Sequence, residues 1–294
     1  MARILAIIVT YNGMQWIDRC LGSVRDAGID AFVVDNGSTD GTVGHIRDRF
    51  PEARLTVSKT NLGFGAANNL GFKAVLAEGY DYAYLLNQDA WLEKDTISIL
   101  LSATTPEYGI LSPIQTDAAG QLDKRFAKKC GRALKSAPAD SHGVKDVPFV
   151  MAAHWLVSRD AIEKVGGFSP VFTQYGEDDN WIHRAHYFGF KAGIVPGAKA
   201  VHDRADRKPS KEARMNLKCV STVVKLSNPC NCLALRKAAE PLELLGMAVK
   251  NGSLIPVKYL TALLRRYPEL TLARAESKQP GAFLTDNLLP AVEG

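Results

Sequence analysis

Hydrophobic positions over the first 110 residues switch repeatedly between two periods. Short apolar runs at residues 4–10, 31–35, 55–58, 82–86 and 109–111 have the length and β-branched content of strands buried on both faces. Between them Trp16, Cys20, Leu21 and Val24, then Val43, Ile46 and Phe50, then Leu70, Ala74 and Val75 recur at helical spacing. Alternation of this kind predicts βαβ units, and so an α/β fold with a doubly wound, mostly parallel sheet.

From residue 115 to 147 the pattern dissolves into a Gly-containing hairpin and a Lys/Arg-rich, Ala-rich stretch, which reads as a mobile insertion. It resumes as a strand at 148–157, helices at 159–165 and 178–188, and a strand at 191–201. Beyond Arg204 the spacing is helical, with Pro229, Pro241, Pro256 and Pro268 marking breaks. The expected division is an α/β domain over 1–205 and a mainly helical region over 206–294, without solenoid repeats.

Composition narrows the class. With 294 residues, 46% hydrophobic and 23% charged, the chain builds a core without staples and is not globally disordered. The apolar run at 4–9 is far short of the ~20 residues that span a bilayer and reads as neither signal peptide nor anchor. Five cysteines, an odd number, with one residue between Cys230 and Cys232, read as free thiols in a reducing, cytoplasmic setting. Residues 203–294 carry 15 Lys/Arg against 9 Asp/Glu, so the C-terminal third holds an excess of +6. No basic motif interleaved with aromatics accompanies that charge, which disfavours nucleic acid as a partner.

In an open α/β sheet, ligands bind beyond the carboxyl ends of the strands. Here those ends are polar: Thr10-Tyr11-Asn12-Gly13, Asp35-Asn36-Gly37, Asn61-Leu62-Gly63-Phe64-Gly65 and Asn87-Gln88-Asp89. One such end is ordinary capping, whereas four on one edge point to a site. A dinucleotide fold is disfavoured, because Gly63-x-Gly65 does not follow the first strand and Asn68 stands where the third glycine belongs.

These runs, together with GGFSPVFTQYGEDDNWIHRA and VPGAKAVH further along, resemble the family-2 glycosyltransferases of GT-A fold, most closely the bacterial rhamnosyltransferase-type members of surface-polysaccharide assembly. The motifs keep family order from residue 4 to 202. The resemblance implies an inverting transferase that moves a hexose, rhamnose among the candidates, from a nucleoside-diphosphate sugar to a glycan or lipid-linked glycan hydroxyl. It assigns Asp35 to the pyrimidine imide, Thr10 and Tyr11 to the base, and Asn61, Gly63 and Asn69 to the ribose and diphosphate. Asp89 and His202 would ligate a divalent cation, magnesium or manganese, with Asn87 as a neutral oxygen donor where the family often has a carboxylate. Asp178, in Glu177-Asp178-Asp179, occupies the position of the base that takes the acceptor proton. Many relatives carry Arg at the position of Asn68, so the cation, or a base such as Lys59, has to neutralise the diphosphate here.

Bland readings stand beside these. Asp89 and Asp178 also suit helix starts, and Asp35 an Asx-turn. Trp155 and Trp181 read as core rather than sugar platforms, His183 and His186 as solvated or capping side chains, and the cluster 124–132 as a solvated loop. A sugar nucleotidyltransferase would need a Gly-rich basic loop after the first strand, which is absent; a catalytically silent glycan- or membrane-binding scaffold would not need Asp89 and Asp178. Leu244, Leu245, Ala248 and Val249, then Val257, Leu260, Leu263 and Leu264, form apolar faces beside Lys250, Lys258, Arg265 and Arg266. Such faces suit attachment to the inner membrane leaflet, or packing on the catalytic domain or on a second copy in a homo-oligomer.

Overall fold

The computed structural model describes residues 2–136, 138–204 and 210–284. Strands β1 (Ile4–Thr10), β2 (Asp30–Asp35), β3 (Arg54–Val57) and β4 (Tyr82–Asn87) are parallel in the order β3-β2-β1-β4. Thr10 lies opposite Asp35 and Val9 opposite Asn87, so the polar ends fall on one edge. Alternate residues of β1 feed two cores. Leu5 and Ile7 meet Ala67, Phe72 and Val75 of α3 (Phe64–Glu78), while Ile4, Ala6 and Ile8 meet Ile17, Cys20, Leu21 and Val24 of α1 (Ile17–Asp26) and Ile46 of α2 (Thr42–Arg49). Burial on both faces explains the uninterrupted apolar run and leaves polar residues only at the strand's end.

Beyond β4 the sheet is mixed. β8 (His154–Ser158) runs antiparallel between β4 and β6 (Tyr108–Thr116), and β9 (Lys191–His202) is parallel to β6. β5 (Ala90–Leu92) and β7 (Lys145–Val147) pair antiparallel with β9. Both are three residues long, too short to show an alternating pattern in the sequence. The strand expected at 109–111 extends to Thr116, its register slipping between Pro113 and Ile114; the one expected at 148–157 begins only at His154.

The expected mobile insertion is ordered wherever it is described. Thr116 bridges Leu122 across a turn that uses Gly120 at φ 76°, and α5 (Lys124–Ser136) follows. Asp123 caps that helix, its Oδ1 accepting the Phe126 N–H at 2.7 Å. Phe126 and Cys130, one helical turn apart, are buried in the cluster that holds Val147, Val150, Trp181 and Ile182. The cationic residues between them hide this periodicity in the sequence.

Trp155 and Trp181 are fully buried, ring centroids 5.9 Å apart, next to Phe72 and Phe168. The short α6 (Arg159–Val165) and then α7 (Glu177–Tyr187) cover this core. Helices α8 (Lys211–Ser227), α9 (Leu233–Asn251), α10 (Ile255–Arg265) and α11 (Tyr267–Glu276) share a third cluster with Val171 and Phe172. The expected boundary at 205/206 lies outside the described residues.

Pro241 does not break a helix. It lies inside α9, and the Lys237 carbonyl that it leaves without an amide accepts the Tyr267 hydroxyl at 3.1 Å. The apolar face expected on α9 and α10 is divided. Leu244 and Leu263 are buried in the helical cluster, whereas Leu245, Val249 and Leu264 are exposed. Arg266 is held by Glu269 and by the Val171 carbonyl. All five cysteines are free thiols. Among the described residues no helix is long and apolar enough to cross a membrane.

Candidate active site

The loops after β1 and β2 are bound into one unit at the sheet edge. Asp35 is fully buried and accepts three hydrogen bonds: Oδ1 from the amides of Gly37 and Ser38 at 3.0 and 2.9 Å, Oδ2 from the Ser38 hydroxyl at 2.5 Å. Ser38 Oγ accepts the Asn12 amide at 2.8 Å, and Asn12 Oδ1 accepts the Thr39 amide at 2.8 Å. Asp35 therefore makes the Asx-type turn and also aims its carboxylate at the strand edge. Thr10 Oγ1 is buried without a partner, and Tyr11 is 49% exposed beside it. A Cβ on Gly13 would come within 2.7 Å of Thr10 Oγ1 and 2.6 Å of Gln88 Oε1, so a side chain there would have to displace these two groups.

Asn36 links this unit to the loop before α3, its Oδ1 accepting the Leu62 amide at 3.3 Å. Asn61 is exposed, its Oδ1 accepting the Gly63 amide at 2.9 Å. Gly63 has φ 82°, and a Cβ there would stand 2.8 Å from the Thr173 carbonyl oxygen. That approach presses the segment preceding the acidic motif against the sheet edge. Asn69 does not join this group: its Nδ2 donates to the Phe168 carbonyl at 3.0 Å and its Oδ1 accepts the Phe168 amide at 2.6 Å. Asn68 donates to the Phe64 carbonyl one turn back, at 2.9 Å.

Past Asn87, at the end of β4, the middle residue of the triplet turns to the β1 loop. Gln88 Oε1 accepts the Tyr11 amide at 2.8 Å and its Nε2 donates to the Tyr11 carbonyl at 3.2 Å. The sequence assigns Gln88 no role of its own, since the middle residue of such a triplet is unconstrained by the ligand pattern. β5 then pairs Ala90 with His202, which brings His202 Nε2 to 3.4 Å from Asp89 Oδ1. Both are buried, and His202 Nδ1 has no hydrogen-bond partner. Behind them His154 donates Nε2–H to the Val201 carbonyl at 3.0 Å and accepts the Tyr84 hydroxyl on Nδ1 at 3.0 Å. Burial pushes His154 down to about 3 and keeps it neutral.

A carboxylate oxygen and an imidazole nitrogen at this separation fit adjacent positions on one hard cation, where ligand distances of ~2.1 Å place neighbours about 3 Å apart. Among the described residues no group of three or more His, Cys, Asp or Glu forms a cage.

The acidic motif opens α7 after Tyr175 and Gly176, both at positive φ. Glu177 is 8% exposed, its Oε2 unpartnered; burial, with Asp178 adding, pushes its carboxyl up to about 7. Asp178 and Asp179 are half-buried. Burial, then the charge of Asp179, raises Asp178 above the ordinary carboxylate range, against the Asp179 amide that donates to its Oδ1 at 2.8 Å and the charge of Lys129. Lys129 acts on both aspartates from α5, where it also covers the Phe149 ring at 4.8 Å. At the other end of α5, Arg204 Nε donates to Asp123 Oδ2 at 3.2 Å, close to the charges of Arg125 and Asp89. Helix α5, read from sequence as a solvated loop, therefore connects the Asp89/His202 pair to the acidic motif. His183 and His186 lie further along α7, both lowered by burial.

The model for glycosyl transferase family 2 matches residues 5–166. The N-acetylglucosaminyl-diphospho-decaprenol L-rhamnosyltransferase of Mycobacterium tuberculosis is 27% identical over 235 residues, which are 68% of this chain and 75% of that protein. The undecaprenyl-phosphate mannosyltransferase of Micrococcus luteus is 34% identical over 106 residues, 34% of this chain and 44% of that one. Among solved structures, the mannosyltransferase of Pyrobaculum calidifontis in complex with GDP-Man and Mn2+ shares the fold at TM-score 0.55 and 18% identity, covering 94% of this chain and 86% of that one. With more than half of its length in the family match and with the motif order intact, this chain belongs to glycosyl transferase family 2 and is a glycosyltransferase.

Proposed function

We propose that this glycosyltransferase moves a hexose, L-rhamnose first among the candidates, with inversion from a nucleoside-diphosphate donor to a hydroxyl of a sugar on a diphospho-lipid. The likeness over 235 residues to an enzyme whose name states that transfer carries the reading. Asp35 and Thr10 would hold the base, with Tyr11 against its face, while Asn61 and Gly63 would border the ribose and diphosphate. Asp89 and His202, with the Asn87 oxygen beside them, would hold magnesium or manganese, whose charge stabilises the departing diphosphate. Asp178 takes the proton of the acceptor hydroxyl as the new glycosidic bond forms. Its raised pKa, caused by burial and then by Asp179, brings the base closer to that of the hydroxyl it serves, with the charge of Lys129 acting in the opposite direction.

A lipid-borne acceptor places the reaction at a membrane surface. The outer side of α9 offers Leu235, Leu242, Leu245 and Val249, at 69, 69, 43 and 86% exposure, as an apolar strip to rest on it. The two-part division near residue 205 suits this arrangement, with the sheet holding the donor and the C-terminal helices facing the lipid. A thermal-shift panel of nucleotide sugars with and without manganese tests the donor side. A midpoint rise specific to one deoxyhexose nucleotide and dependent on the cation supports the proposal; equal response to every nucleotide sugar contradicts the assigned donor.

A further inference from the structure

Tyr84 and His154 form a buried polar link between the strands that lead into Asp89 and His202. Tyr84 lies on β4, which runs on to Asn87 and then Asp89. It stands opposite Leu156 of β8, two residues from His154, so the Tyr84 and His154 side chains share one face of the sheet. The Tyr84 hydroxyl donates to His154 Nδ1 at 3.0 Å, and His154 Nε2 donates to the carbonyl of Val201 on β9 at 3.0 Å. A carbonyl only accepts, so Nε2 carries the ring proton and Nδ1 is left to accept the hydroxyl. Both residues are fully buried. An apolar side chain would fill this space without desolvating two ring nitrogens. With both nitrogens paired, the imidazole instead ties β9 to β4 across the sheet.

The tie ends at His202. The Val201 carbonyl belongs to the peptide that leads into it, and His202 Nε2 lies 3.4 Å from Asp89 Oδ1. A metal-binding imidazole is ordinarily oriented by a hydrogen bond to its other nitrogen, but His202 Nδ1 meets no such partner among the described residues. Two other restraints stand in its place: the peptide held by His154, and the His154 ring itself, packed edge-on against His202 with centroids 6.5 Å apart and an interplanar angle of 83°. We propose that His154, set by Tyr84, is a positioning residue for the divalent-cation site, holding His202 at its separation from Asp89. It acts through His202 and its peptide rather than as a ligand. The proposal rests on the reading of Asp89 and His202 as cation ligands given above and adds the residues that fix their geometry.

Binding is the readout, without turnover. Manganese alone would be titrated into the full chain and followed by loss of the free-ion paramagnetic resonance signal, for wild type, Tyr84→Phe, His154→Leu and His154→Gln. Thymidine diphosphate binding in excess chelator would be measured beside it. Loss of an outer-shell partner predicts a fall of roughly 10- to 100-fold in manganese affinity for His154→Leu, with Tyr84→Phe falling less. His154→Gln, whose amide can still donate to the Val201 carbonyl, should keep most of the affinity. Nucleotide binding in chelator should be unchanged throughout, a split that a merely structural role does not produce. If His154→Leu does not fold, Tyr84→Phe, which removes only a hydroxyl, decides the matter. Manganese affinity equal to wild type in His154→Leu, or in Tyr84→Phe where that variant decides, overturns the proposal, as does a parallel loss of metal and nucleotide binding. A wild type that binds no manganese overturns the cation reading itself, a result distinct from variants that bind it as wild type does.

Discussion

His202 Nε2 lies 3.4 Å from Asp89 Oδ1 because a three-residue strand, β5, turns back against the end of β9 and sets Ala90 opposite His202. The pairing joins two motifs that are far apart in the chain, and His154 behind them is held neutral by burial. Asp89→Ala should therefore reduce turnover on the order of 10²-fold and raise KM for the nucleotide sugar, with His202→Ala acting in the same direction more mildly. Chelator should abolish transfer by wild type, and manganese should restore it. Full activity in excess chelator contradicts the assignment.

Asp178, the proposed base, sits between opposing charges, and this sets its pH dependence. Burial and Asp179 raise Asp178, and Lys129 lowers it. A general base works in its deprotonated form, so log kcat should rise with pH along a limb centred above the ordinary carboxylate value of ~4. Asp179→Asn removes the neighbouring negative charge and should move that limb to lower pH; Lys129→Met should move it to higher pH. Two limbs that stay where they are in wild type would show that Asp178 does not govern the profile.

Glu177 gives a stability test independent of catalysis. Its carboxyl is raised to about 7 in the fold, mainly by burial, against ~4.3 in an unfolded chain. The native state therefore holds the proton more tightly, and stability falls as pH rises from the unfolded value through about 7, then levels off. Glu177→Gln should remove that fall and raise stability at pH 8 by roughly 1–3 kcal/mol, with little effect at pH 4. Thermal midpoints at the two pH values measure it; a variant destabilised at pH 8 would mean that the carboxylate finds a partner.

Membrane contact is predicted to follow the exposed strip of α9. The protein should co-float with vesicles containing anionic lipid, and Leu242→Glu/Val249→Glu should abolish flotation while leaving nucleotide binding intact. Absence of flotation at low salt with wild type would contradict the placement.

Much of the catalytic half was legible in the sequence because its signals are local. β1 reads as an apolar run from Ile4 and stops at Thr10 as predicted, and Asp35 and Asn87 end their strands. What stayed hidden depends on distant partners. The pairing of β5 with β9, the Tyr267 hydroxyl that lets α9 continue through Pro241, and the burial of Phe126 and Cys130 under six cations are tertiary facts with little periodic trace. Asn69 shows the converse, a polar residue in a family motif whose amide is spent on the Phe168 backbone.

The most direct test of the central claim is a comparison of wild type with Asp178→Asn, measuring both transfer to the diphospho-lipid acceptor and binding of the donor nucleotide. Transfer should fall by on the order of 10²- to 10⁴-fold with donor affinity unchanged, because the base acts on the acceptor hydroxyl. Transfer within twofold of wild type would contradict the account.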